Sequence, residues 1–202
     1  MKPFMGLTSW AAFKKGVGNE AMVMGDLVLF EDEVNPVMSV ALENGLEVTA
    51  LHNHFFYDNP KVYFMHIGGA SSIETLAGGV RKTQDKIKNI RTAGPNPSKG
   101  FKGSPIPADG SIDGKRIEQI LGRTGQASTG MFKAVIGRTA KMHGGEEVGK
   151  EMGVNTWAAF AGSNDNAFVD GDFAVLESEL QGVLKALRTA GISLTSWPFT
   201  IA

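Results

Sequence analysis

The sequence predicts an α+β protein containing two copies of a β-β-α-β(-β-α) unit, with antiparallel or mixed sheets and an approximate two-fold relation between the copies. Residues 6–13 read GLTSWAAF and residues 153–160 read GVNTWAAF. Residues 25–49 match residues 171–195 without a gap. Within each copy the apolar spacing changes from strand-like to helical, so each copy combines both kinds of element.

The first copy can be divided into elements by its periodicity and its turn residues. The stretches SWAAF and AMVMGDLVLF are strand-like. A helix follows, with Asp32 suited to its N-cap and Gly45 to the left-handed position after its end. Its apolar face is formed by Val34, Val37, Met38, Ala41 and Leu42. The strands EVTALHNHFF and KVYFMHI are next, joined by the turn residues YDNP, and a helix capped by Ser71 or Ser72 completes the copy.

The domain boundaries follow from the repeat and from local composition. We predict a first repeat at residues 1–91, a linker at 92–111 with four prolines and four glycines, and a second repeat at 112–202 that is incomplete at its C-terminus. The second repeat opens with the helical IDGKRIEQILG and the strand-like GMFKAVIG. Trp10 and Trp157 occupy equivalent positions, which predicts equivalent buried sites.

The alignment of the copies predicts a chain truncated at both ends. Nothing before residues 6–13 corresponds to the helix and strand of residues 111–138. The second copy stops at Ala202, where the hairpin of the first copy would begin. After GISLT the chain reads SWPFTIA instead of a histidine strand, and permitted codons allow a histidine pair in a shifted frame. A frameshift and true divergence are both open readings of this end.

The composition excludes several classes of protein. A net charge of −1 argues against a dedicated nucleic-acid binder. The chain has no cysteine, which rules out disulfides and thiolate ligands. No apolar run approaches the roughly 20 residues of a transmembrane helix, and the first residues do not form a signal peptide.

Three of the four histidines lie within residues 52–66. Residues two apart on a strand share a face, so His52 and His54 are predicted to project together. His66 lies on the returning strand. If the residue numbers of directly opposed residues on the two strands sum to 118, His52 stands opposite His66 and the three imidazoles converge. If that sum is odd, His66 lies on the other face of the sheet.

Three neutral imidazoles on adjacent strands are a suitable ligand set for Zn²⁺, the preferred ion, and are usable by Fe²⁺, Mn²⁺, Cu²⁺ or Ni²⁺. Glu31 and Glu33 are candidates for a carboxylate ligand. They recur as Glu177 and Glu179 in a copy without the histidines, which favours a role at the helix N-terminus instead. The fourth histidine, His143, lies in a glycine-rich loop and is interpreted as a surface residue.

The combination SWAAF, GDLVLFEDEVNPV, NGLEVTALHNHFF and PKVYFMHIGG resembles the LppY/LpqO family, a bacterial family of unknown function. The resemblance covers nearly the whole chain and implies a periplasmic, secreted or lipoprotein-like location. It implies no mechanism.

Two functions remain open at this level. The first is a divalent-metal protein in which a bound ion activates water, with Glu31 or Glu33 as general base. The alternative is a non-catalytic cell-envelope protein that binds a small molecule or an envelope partner without metal. The sequence specifies no substrate and does not decide whether the chain is an enzyme.

Overall fold

The computed structural model describes residues 7–16, 18, 20–98, 100, 107, 109–141, 145 and 147–196. The chain forms two compact units, one of residues 1–100 with 176–202 and one of residues 101–175. The described residues contain four α-helices and three antiparallel sheets, so the predicted α+β class is confirmed.

The first unit is built on a four-stranded antiparallel sheet in the order β1-β2-β4-β3. These strands are Trp10–Lys15 (β1), Ala21–Phe30 (β2), Glu47–His52 (β3) and Val62–Ser71 (β4). Its helices are Glu31–Glu43 (α1), Ile73–Ala93 (α2) and Glu177–Thr189 (α4). Alternate residues of the sheet join the apolar stripes of the helices in one core, which includes Leu27, Leu29, Met38, Leu51, Met65, Ile67, Leu76 and Leu184.

The start of α1 differs from the predicted cap. The helix begins at Glu31, and the buried Glu33 accepts a hydrogen bond from the Phe30 N–H at 2.7 Å. Asp32 is not the cap. Its Oδ2 pairs with Arg91 at 2.6 Å and accepts from the Ser98 N–H at 3.0 Å, so it ties the end of α2 to the start of α1. The prediction for the second helix was correct at Ser72, whose Oγ accepts from the Thr75 N–H.

The second unit contains a four-stranded antiparallel sheet in the order β10-β9-β6-β5. Its strands are Gly125–Ser128 (β5), Met131–Gly137 (β6), Asn155–Gly162 (β9) and Ala167–Asp172 (β10), and a helix, Gly114–Leu121 (α3), precedes them. Two short strands, Ala140–Lys141 (β7) and Glu147–Val148 (β8), pair with each other. Ile112, Phe132 and Ala134 form the small core of this unit.

The two copies repeat their geometry residue by residue. Trp10 pairs with Asp26 between β1 and β2, and Trp157 pairs with Asp172 between β9 and β10, which is the equivalent register. The helices α1 and α4 start with the same glutamate-to-backbone bond. The glycines after both helices have φ 78°, the left-handed conformation that glycine adopts without strain.

The prediction that the two tryptophans are buried was wrong for Trp10. Its register position matches that of Trp157, but its side chain is 48% exposed, whereas Trp157 is partly covered. The matching register shows that the sequence repeat fixes the pairing within each hairpin. The covering of each tryptophan depends instead on what lies beyond the hairpin.

Within the first unit, α1 and α4 make reciprocal contacts that reveal the approximate two-fold relation. The side-chain amide of Gln181 on α4 bonds both the N–H and the C=O of Val48, at 3.0 and 2.9 Å. Its counterpart Asn35 on α1 bonds both the N–H and the C=O of Leu194, at 2.7 and 3.2 Å. Leu194 is the counterpart of Val48 in the alignment, so each copy holds the same backbone position of the other.

Some sequence predictions concern residues outside the described part. Much of the predicted linker (99, 101–106 and 108), His143 and the final residues 197–202 lie there. Residues 192–196 form no strand. The predicted repeat boundaries stay a prediction; the compact units divide the chain differently, because α4 packs with the first unit.

Candidate metal site

Two strands bring an imidazole and a carboxylate together on the face of the first sheet opposite the helices. In the β2–β4 ladder Asp26 pairs with His66. Asp26 Oδ1 lies 3.9 Å from His66 Nε2, and their side chains are only 18% and 30% exposed. Asp26 Oδ1 is itself buried and accepts no hydrogen bond in the described part of the chain. A buried carboxylate oxygen without a partner is costly, so this position suits a cation or a donor.

A β-bulge decides on which face His52 lies. Val48 pairs with Ile67, and if that register continued His52 would stand opposite Tyr63, whose side chain packs against the core. Instead the ladder shifts at Thr49, so that Ala50 pairs with His66 and His52 pairs with Phe64. The extra residue therefore returns His52 to the face of His66.

The predicted register was wrong by two. Paired numbers in the second half of β3 sum to 116, as for Ala50 with His66, rather than to 118. His52 is consequently a diagonal neighbour of His66 and not its direct partner. Because the sum is still even, both side chains leave the same face of the sheet.

The third histidine lies beyond the strand. The structure ends β3 at His52, so the predicted strand through Phe56 is too long. The backbone after it still keeps the His54 ring beside that of His52. The Nε2 atoms of His52 and His54 are 2.9 Å apart, and the ring centroids of His52 lie 4.9 Å from those of both His54 and His66. Phe64, almost fully buried, packs under His54 with a centroid separation of 4.1 Å.

The surroundings favour the neutral form of the central histidine. Burial is the largest effect that lowers the pKa of His52, and the adjacent His66 and His54 lower it further, while the Asp26 carboxylate partly opposes them. A neutral imidazole offers a lone pair. Two ring nitrogens at 2.9 Å need a proton or a cation between them, since two lone pairs repel each other.

The structure does not bring Glu31 and Glu33 to the histidines. Glu33 is committed to the Phe30 N–H, and its Oε1 lies 2.8 Å from Arg91 Nε. Burial raises the pKa of Glu33, and the Phe30 bond and Arg91 act against that rise. Burial raises the pKa of Tyr63, and the negative charge of Glu31 raises it further. Glu31 therefore lies near a side chain that packs against the core on the other face. A role at the N-terminus of α1 therefore accounts for these two glutamates better than a role as metal ligands does.

The three histidines and Asp26 are suitable metal ligands by residue type, but their separations are not those of a bound metal ion. Three imidazoles and one carboxylate are a donor set that zinc and related ions accept. Two nitrogens on one tetrahedral zinc, each about 2.0–2.1 Å from it, are separated by about 3.3–3.4 Å. The 2.9 Å between the Nε2 atoms of His52 and His54 is therefore somewhat short. The 3.9 Å between Asp26 and His66 is too long. In the described residues no group of three or more His, Cys, Asp or Glu side chains is arranged tightly enough to hold an ion.

A family model named DUF1529, described as Domain of Unknown Function (DUF1259), matches residues 1–86 and 115–197. The chain belongs to this family. The two matched segments agree with the two copies of the repeat. No curated protein and no solved structure gives a significant match.

In this member of the DUF1259 family, sequence reasoning missed Asp26. The residue was visible in the strand AMVMGDLVLF, on the same alternation as the exposed residues Met22 and Met24. What was missing was the strand order, because β2 and β4 are not consecutive in the chain and their pairing is not a local property. The repeat could not identify it either, since Asp172 recurs in the copy without the histidines.

One further absence concerns the membrane. Among the helices of the described residues, none combines the length and the apolar character that crossing a bilayer requires.

Proposed function

We propose that this DUF1259-family protein binds one divalent transition metal ion, with zinc preferred, through His52, His54 and His66 with Asp26 as the fourth ligand. The observation that supports the proposal best is the buried Asp26 oxygen that accepts no hydrogen bond among the described residues, placed on the same sheet face as three imidazoles. An ion at this point would neutralise that oxygen and separate the two facing Nε2 atoms of His52 and His54.

Binding requires a small closure of the site. The ion would draw His66 and Asp26 together by about 0.5 Å to the ligand separation expected for zinc. We expect side-chain rotation to achieve this, together with a separation of the His52 and His54 nitrogens by about 0.4 Å, while the backbone ladders of β2, β3 and β4 stay in place.

The test is elemental analysis of protein purified without a histidine tag, followed by calorimetric titration of the metal-free protein with Zn²⁺. We expect one ion per chain and an affinity that falls below about pH 6, because each imidazole must lose its proton before it coordinates. His52→Ala and Asp26→Asn should each weaken binding by at least about tenfold. Glu47→Gln, an exposed change on β3, is the matched control and should bind as the unmodified protein does.

A stoichiometry near zero in protein of native fold, or equal affinity in Asp26→Asn and Glu47→Gln, would overturn the proposal. Four protein ligands would complete the tetrahedral shell of a zinc ion, which is the arrangement of a closed site.

The second candidate function is non-catalytic binding of a cell-envelope ligand, in a protein of LppY/LpqO type located in the periplasm or outside the cell. The resemblance of the histidine-containing motifs supports this location. The loop after the histidines supports ligand binding, since Phe56 is 93% exposed and Tyr57 beside it is fully exposed. Tyr57 also has φ 59°, a strained value for a residue with a side chain. Ligand binding that survives both a chelator and His52→Ala would favour this candidate.

A further inference from the structure

The outer edge of β1 is unpaired among the described strands, although its repeat counterpart is paired on both sides. β1 contacts only β2 in the ladder. Its counterpart β9 pairs with β10 on one side and, antiparallel, with β6 on the other. The same sequence pattern therefore accepts a strand on that edge in the second copy.

The exposed side chains of β1 are those that the additional strand covers in β9. Trp10 is 48% and Phe13 is 42% exposed. In the second copy, Lys133 of β6 places its Nζ 4.1 Å from the centre of the Trp157 ring. Phe132 of β6 stands opposite Phe160, the counterpart of Phe13, and forms a core with it. A strand that docks on β1 should thus supply a cation for Trp10 and an apolar surface for Phe13.

We propose that β1 docks, antiparallel, against β1 of a second molecule of this protein. If paired numbers sum to 24, Trp10 stands opposite the partner's Lys14, and Ala11 stands opposite the partner's Phe13. Each molecule then supplies a cation for the other molecule's Trp10 and an apolar residue for its Phe13. The dimer is isologous, and Ala12 faces its own symmetry mate.

The charges of the edge fit this partner. Lysine on an edge strand often prevents pairing. In the register with sum 24, however, Lys14 meets Trp10 and Lys15 meets Ser9, so no two lysines are directly opposed. A single pair of six-residue strands is a small interface, so we expect a reversible dimer with a Kd on the order of micromolar.

The first test is sedimentation velocity of the full chain over concentrations that span the micromolar region. We expect a monomer–dimer equilibrium, and Trp10→Ala or Lys14→Ala should raise Kd by at least about tenfold. Lys185→Ala, an exposed lysine on α4, is the matched control and should leave Kd unchanged. A chain that stays monomeric at every concentration overturns the proposal, as does a dimer that Trp10→Ala and Lys14→Ala leave intact.

The second test uses the absence of cysteine from the chain. Directly opposed residues of antiparallel strands lie about 4.5–5.5 Å apart, within the range of a disulfide. Oxidation with diamide should therefore cross-link Ala12→Cys into a covalent dimer. Ala167→Cys, on the exposed edge strand β10, should stay monomeric under the same conditions. Equal cross-linking of the two variants, or none in Ala12→Cys, contradicts the proposed register.

Discussion

At the scale of single residues, the His52 site shows how neighbours set the charge of an imidazole. Burial and two nearby rings lower the pKa of His52 from its ordinary value of 6.5, and the Asp26 carboxylate only partly restores it. The metal-free site is therefore biased toward the form that coordinates an ion. The same bias has a consequence for stability, because the unfolded chain lacks these neighbours.

We expect the free energy of unfolding of the metal-free protein to depend on pH through His52. As pH falls below about 6.5, the unfolded chain takes up a proton on this residue before the folded protein does. The stability present above that pH is therefore lost progressively as pH falls toward the lowered pKa. Urea denaturation at a series of pH values should show that the free energy of unfolding falls less with decreasing pH in His52→Gln than in the Glu47→Gln control. Identical slopes in the two variants would contradict the assigned cause.

At the scale of elements, the bulge at Thr49 determines whether the histidines meet. Alternation along a strand could be predicted from EVTALH, but the residue at which the ladder shifts could not. A regular ladder from Val48 would place His52 on the core side, whereas the structure has the shifted pairing. The sequence predicted a shared face through an even sum, and the structure reaches an even sum by a different register.

Deleting one residue at the bulge and inserting one there should have opposite effects on Zn²⁺ binding. Deleting Thr49 removes the extra residue and leaves Ala50 opposite His66, so Zn²⁺ binding should be retained. Inserting one alanine after Thr49 allows a regular ladder from Val48 in which His52 stands opposite Val62 instead of Phe64. His52 then lies two residues further along β4 from His66, so binding should fall by at least about tenfold. Circular dichroism of both variants checks the fold, and calorimetry measures the affinity. Loss of binding in both variants, or in neither, would contradict the role of the bulge.

The element scale also shows what could be predicted from the sequence. The helix of residues 31–43 and its glycine terminator follow from local spacing, as does the serine cap of α2. The position of Asp26 beside His66 and the exposure of Trp10 do not, because each depends on which strands become neighbours. The site was therefore predictable in its histidines and not in its carboxylate.

At the scale of the whole molecule, the reciprocal amide contacts join the two copies within the first unit. Gln181 and Asn35 each hydrogen-bond both backbone groups of one residue in the other copy. Gln181→Ala and Asn35→Ala should each lower the free energy of unfolding by about 1–2 kcal/mol, because each leaves partly buried backbone groups unpaired. Thermal and urea denaturation would measure this, with Lys185→Ala as an exposed control on α4. Markedly unequal effects of the two changes would argue that the copies do not depend on each other equally.

The same amide contacts set an order of events during synthesis. Val48 and Gln181 are 133 residues apart in the chain. At about 5–20 residues per second, the ribosome needs roughly 7–27 s to make that interval. The nascent histidine hairpin therefore emerges with the edge of β3 open, and that edge closes only when α4 has been translated. During that interval the first copy lacks the support of the second, and its open strand edge is available for pairing with another strand.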